Sequence, residues 1–233
     1  VELTPHTLTL GFFWYFAFLF STVCHEGAHA LAAKLGGDPT ASEAGQATLN
    51  PGPHIRREPF GLVVVPLVSY FLNGWMMGWA SAPYDPRWQR DHPRRAAWMA
   101  LAGPGANFTL MALAGAGIRA GLALGYFRFP VKFSFETLVE AADPQTLGFV
   151  TTLLSIFFML NLILGTFNLL PVPPLDGSTG IGVLLPERTA VRLMDLIHGS
   201  GLGLIGLLLA WFAFGYVFRA VAPIALRLLF LGA

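Results

Sequence analysis

The chain has 233 residues, 55% of them hydrophobic and 12% charged, with a formal net charge of +1; a soluble domain carries roughly twice that charged share. So little charge cannot cover a water-facing surface, and lipid is the better solvent. The balance also excludes a nucleic-acid footprint, which needs clustered Lys and Arg, and the single cysteine, Cys24, excludes an internal disulfide or a Cys-based zinc cluster.

Crossing the hydrocarbon of a bilayer takes about 20 apolar residues in a helix. Residues 1–6 lack the basic start of a signal peptide. Residues 8–35 form the first predicted span, with His25, Glu26 and His29 in its second half. Residues 61–82 are apolar but broken by Pro66, Asn73 and several glycines. Residues 96–126 form a second long span, and Gly117, Gly121 and Gly125 within it have the small-xxx-small spacing of close helix packing. Residues 147–170 form the cleanest span and run into Pro171, Pro173 and Pro174, which end a helix. Residues 201–231, interrupted by Arg219 and Pro223, form one kinked span or one span plus a short surface helix. The expectation is an all-α, multi-spanning membrane protein whose partner is the lipid bilayer, built as a single domain over residues 1–233.

Loop charge sets the orientation. Arg87, Arg90, Arg94 and Arg95 place the loop before the second span in the cytoplasm, and the more acidic segment 127–145 outside. If the first span runs inward, both ends of residues 61–82 lie on one side. That segment is then re-entrant, or lies extended against the other helices, possibilities that include short strands. The polar half of the first span and the Asp176 end of the third then reach similar depth, near the cytoplasmic face.

The chemistry centres on His25-Glu26-Gly27-Ala28-His29. Positions i and i+4 of a helix lie one above the other, so both imidazoles can reach one metal while Glu26 flanks it. A chance His-Glu-x-x-His in this composition is roughly a one-in-two-hundred event, so the pattern carries weight. Catalytic zinc takes three protein ligands and one open position, where it acidifies water for attack on a carbonyl with a carboxylate as base. Two histidines and a glutamate in an apolar span are costly unless they pair, bind metal or face water. The bland alternative is a hydrogen-bonded patch that joins helices. For the third ligand, Asp38, Asp85, Asp91 and Asp143 sit in polar connections where solvation accounts for them, whereas Asp176 follows an apolar span through a proline-rich turn. An anionic ligand also offsets part of the Zn²⁺ charge. Cys24 reads as a bystander thiol.

The chain resembles the site-2 protease family of intramembrane zinc metalloproteases. The likeness rests on His25-Glu26-Gly27-Ala28-His29, on Asn168-Leu169-Leu170-Pro171 followed by Leu175-Asp176-Gly177, and on Gly103-Pro104-Gly105-Ala106-Asn107. Asn50-Pro51-Gly52-Pro53-His54 and Gly78-Trp79-Ala80 resemble a compact prokaryotic branch without PDZ or CBS domains. The resemblance covers roughly residues 8–185 and leaves 186–233 as a C-terminal helical segment without a motif. It departs from the branch after His54, where Arg56, Arg57 and Glu58 stand in place of an Asp. It implies a three-helix catalytic core, His25, His29 and Asp176 as zinc ligands, Glu26 as general base, and transmembrane proteins as substrates. It further implies a multi-pass protein of a prokaryotic plasma membrane.

Supporting roles follow from chemistry. Asn168 is a candidate donor to the substrate backbone or the developing oxyanion. Two readings stand for His54: a residue of the cytoplasmic approach that assists at the oxyanion or binds a further metal, and an ordinary loop histidine. Asn107 is a candidate substrate contact but fits better as a helix brace. His6, His92 and His198 read as surface residues. The main rival is a metal-binding membrane protein without protease activity, a transporter or an inactive relative. Against it, the ionisable groups cluster at one depth and Glu26 is intact. A di-iron oxidase needs more histidine boxes than six histidines supply. A serine protease would have only Gly199-Ser200-Gly201 to draw on.

Overall fold

In a computed structural model that describes residues 2–199 and 203–232, ten helices and one two-stranded ladder follow one another along the chain. Four helices are long and apolar enough to cross a membrane: α1 (Pro5–Gly36), α6 (Pro93–Ala123), α7 (Pro144–Asn168) and α10 (Gly203–Leu229). The protein is therefore a multi-pass helical membrane protein. The short helices between them are α2 (Thr40–Glu43), α3 (Pro51–Arg57), α4 (Val65–Asn73), α5 (Pro86–Asp91), α8 (Asp176–Gly180) and α9 (Glu187–Gly199). Gly199 ends α9, while Ser200 and the side chain of His198 lie outside the described residues.

One local device starts four of these helices. Proline at the first helical position loses nothing, because that N–H has no intrahelical partner, and an Asn, Asp or Thr just before it accepts from the orphan N–H groups. Thr4-Pro5, Asn50-Pro51, Asp85-Pro86 and Asp143-Pro144 all work this way, with the capping oxygen accepting from Thr7, Gly52, Arg87 and Gln145 respectively.

The core is α1, α6 and α7. Contacts from Gly36 to Arg95 at one end and from His25 to Asn107 further along make α1 and α6 antiparallel. Asn107 meets Asn161 and Gly117 packs on Leu154, so α6 and α7 are antiparallel too. The spans thus alternate in direction as the loop charges require. Apolar residues fill the bundle on two sides. Trp14, Phe18, Leu62, Ile156 and Leu160 join α1 to α7 and the segment around α4. Ile118, Phe158, Met159, Leu162 and Leu229 join α6, α7 and α10.

Residues 61–82 turn back on themselves. A π-helical turn, Phe60–Val64, leads into α4, and Gly74 in the left-handed region (φ 79°) reverses the chain. The π turn accommodates Pro66, which has no N–H for the helical ladder. Residues 75–85 then return without helix or strand, and the Trp79 N–H donates to Gly61 O (3.2 Å). At about 1.5 Å per residue the helical limb is too short for a hydrocarbon core of about 30 Å. Of the alternatives for this segment, the reversing one holds and the strand does not form. The ladder lies later, between β1 (Phe127–Arg128) and β2 (Glu140–Ala141).

Two further expectations change, and of the two alternatives for residues 201–231 the single span holds. Gly117 does pack helix on helix, but Gly121 leaves room for the Phe127 ring, and Gly125 (φ 73°) terminates α6 as a turn glycine. Residues 203–229 form one helix with Pro223 inside it, not a span plus a surface helix. Asp38 is not a solvated carboxylate. It is 1% exposed and accepts from Thr40 N–H and Oγ1 and from Asp85 N–H. Burial pushes its pKa up, but those hydrogen bonds outweigh burial and hold it below the ordinary value.

Candidate metal centre

His25 and His29 lie one turn apart on α1 and their Nε2 atoms converge to 2.9 Å. Asp176 opens α8, and its carboxylate meets both: Oδ2 is 3.1 Å from His25 Nε2 and Oδ1 is 3.4 Å from His29 Nε2. Neighbouring ligand atoms around tetrahedral zinc are about 3.3 Å apart for bond lengths near 2.05 Å. The observed separations bracket that figure. Among the described residues this is the one group of three such side chains that can share an ion.

Two backbone carbonyls set the chemistry of the imidazoles. A carbonyl can only accept, so His29 Nδ1 donates to Met99 O (2.8 Å), leaving its Nε2 a bare lone pair. The second case runs through three helices. Asn161 Nδ2 donates to Phe157 O (2.9 Å) and to Ser21 Oγ (2.9 Å), which orients its amide. Its Oδ1 then accepts from Asn107 Nδ2 (2.8 Å), and Asn107 Oδ1 is turned to His25 Nδ1 (2.6 Å). His25 must donate there, so its Nε2 is also bare. Ser21, Asn107 and Asn161 are fully buried. Two lone pairs and a carboxylate therefore face one point, and Asp176 Oδ2 is buried without accepting a hydrogen bond. A divalent cation fits this donor set, and it removes the cost of an orphaned buried oxygen.

Neighbouring elements shape the centre by what they omit. A Cβ at Gly103 of α6 would collide with His29 Nε2 and lie 2.5 Å from His25 Nε2, so only glycine lets α6 pass this close. A Cβ at Gly177 would run into the carbonyls of Leu169 and Leu170, so the turn carrying Asp176 folds tightly onto the end of α7. Glu26 is 5% exposed and lines a cavity of about 210 Å³ together with His29 and Asp176. Its carboxylate has no hydrogen-bond partner among the described residues.

The remaining candidates fall elsewhere. Asn107 has its amide committed to His25 and Asn161 at 0% exposure, which makes it a brace with no atom left for substrate. Asn168, at the end of α7, is half-buried, and its Nδ2 donates back to Leu164 O (3.0 Å). His54 is 2% exposed and bonds through Nε2 to Thr48 O (3.1 Å), in a loop that packs on α1 at Gly27. It is outside the three-residue group. Cys24 is half-buried and outside it as well, and His6 and His92 are exposed. Sequence reasoning overlooked Asn161 and Ser21, although an Asn inside the cleanest apolar span was a signal, because a buried amide in lipid needs partners.

With the geometry in hand, comparison with known proteins is specific. The family model of peptidase family M50 matches residues 13–195. The "Putative zinc metalloprotease YwhC" of Bacillus subtilis (strain 168) is 33% identical over 174 residues, covering 74% of this chain and 69% of that protein. No solved structure matches. The matched stretch takes in α1 with both histidines, the α6 turn at Gly103 and the Asp176 turn, so the chain belongs to peptidase family M50, the site-2 proteases.

Proposed function

We propose that the protein is an intramembrane zinc metalloprotease that hydrolyses peptide bonds in or near transmembrane segments of other proteins. The observation that carries this reading is the convergence of two bare imidazole nitrogens and a carboxylate beside the unpaired Glu26. His25, His29 and Asp176 hold the zinc. When bound, the ion supplies Lewis acidity, acidifying a water and polarising a carbonyl. Glu26 takes the proton from the attacking water as its oxygen adds to the carbonyl carbon, and returns it to the amine nitrogen as the C–N bond breaks. Asn107 and the Met99 carbonyl keep both histidines in the Nδ1–H form throughout. A substrate helix has its backbone groups paired internally, so it must unwind to offer a carbonyl, and segments with Gly, Pro or Asn are favoured.

The arginines around α5 and the start of α6 put that end of the bundle in the cytoplasm by the positive-inside rule, and the site lies nearer that face of a plasma membrane. The test measures zinc content and cleavage of a panel of helix-weakened transmembrane fusions by purified wild type, Glu26→Gln and Asp176→Ala. The expected pattern is about one zinc per wild-type chain, zinc kept and cleavage lost in Glu26→Gln, and zinc weakened in Asp176→Ala. Wild type that holds no zinc, or Glu26→Gln that cleaves normally, sinks the mechanism. Stoichiometric zinc with no cleavage of any panel member favours a metal-binding membrane protein without protease activity.

A further inference from the structure

The cavity beside Glu26 runs away from the metal centre along α1. Ala33, one turn beyond His29, lines it, as do Ala41 of α2 and Gln89 of α5. α5 is anchored at the end of α1, where the Trp88 indole N–H donates to Gly36 O (3.0 Å). Gln89 therefore stands near the level of residues 33–36, which is about 6–10 Å along the helix axis from His29. An extended peptide covers that distance in roughly two to three residues.

Gln89 is 4% exposed. Its main-chain N–H donates to Asp85 O, but its carboxamide has no hydrogen-bond partner among the described residues. Its polar atoms open onto the cavity and are not sealed in the wall, so the carboxamide is free to pair with an occupant. Beside Gln89 the wall is made of small side chains, Ala33 and Ala41, both almost fully buried. A carboxamide offers one acceptor and two donors, which matches the C=O and N–H of a peptide unit.

We propose that Gln89 is a substrate-recognition residue, which pairs through its carboxamide with a backbone peptide group of the unwound substrate two to three residues from the scissile bond. This rests on the protease reading above and adds a subsite to it. At that distance Gln89 does not reach the reacting carbonyl, so its effect is on binding and not on the chemical step.

The test uses Glu26→Gln, which binds without turnover, and a fluorescently labelled, helix-weakened transmembrane segment in detergent. Adding Gln89→Leu weakens the Kd about tenfold, the worth of one or two peptide hydrogen bonds. In the otherwise wild-type enzyme Gln89→Leu raises KM by a similar factor, with kcat changed less than twofold. Zinc content is unchanged and the thermal midpoint stays close to wild type, because the carboxamide opens onto the cavity and holds no other element in place. Gln89→Glu, isosteric and acceptor-only, falls between the two. An unchanged Kd overturns the proposal, as does a lowered midpoint with lost zinc in both variants, which makes Gln89 structural. Failure of Glu26→Gln to bind the segment at all also overturns the subsite, while zinc content and wild-type cleavage report separately on the protease reading.

Discussion

Gly103 is the residue on which the metal centre depends most directly, since it is the absence of a side chain there that lets two imidazole nitrogens converge against α6. Gly103→Ala is expected to fold but to lose stoichiometric zinc, as read by metal analysis against a thermal midpoint measured on the same sample. Asn107→Leu acts more gently. It frees His25 to rotate or change tautomer, and zinc affinity is expected to fall about 10- to 100-fold, the usual cost of losing an outer-shell partner of a ligand. A competition titration with a chelator of known affinity measures it. At this scale the motif residues were legible because helix periodicity alone puts i and i+4 on one face. The chain Ser21–Asn161–Asn107–His25 was not, because its members are up to 140 positions apart and share no spacing rule. Asp38 was misread for the same reason. An aspartate just after a helix reads as solvated, and only the fold brings the Asp85 N–H against it.

Among the elements, the turn between α7 and α8 is held from two directions. Gly177 tucks it under the end of α7, and α10 closes over it from outside, where a Cβ at Gly206 would collide with Pro173 O. Leu170 and Leu175 on either side of the turn pack on Ala210, one turn further along α10. The C-terminal segment, which carries no motif, is thus the backstop of the Asp176 turn. Gly206→Val is expected to push that turn away and weaken zinc binding about tenfold, while Leu208→Val, on the exposed face of α10, leaves it unchanged. Equal zinc affinity in the two variants would remove α10 from any part in positioning Asp176. The Arg119 guanidinium donates to the carbonyls of Leu228 and Leu229, tying the far end of the same helix to α6.

Over the whole molecule, alternating helix directions and a reversing segment before α5 assign the loops to two sides. In a Cys24→Ala background, cysteines placed at Arg56 and Arg87 are expected to react with an impermeant maleimide only from the cytoplasmic side. One placed at Val131, which is 99% exposed, is expected to react only from the opposite side. Labelling of Arg56→Cys and Arg87→Cys from different sides would mean that residues 61–82 cross the bilayer. The sequence by itself determined the spans, the asymmetry of loop charge and the candidate ligand types, because hydrophobic length, loop charge and the helical repeat are local properties that survive without a fold. Tertiary structure alone decided which nitrogen of each histidine is bare, which glycines are obligatory, and that Gln89 faces the cavity. Those facts depend on which carbonyl, amide or ring stands opposite across a helix interface, and no local pattern encodes that.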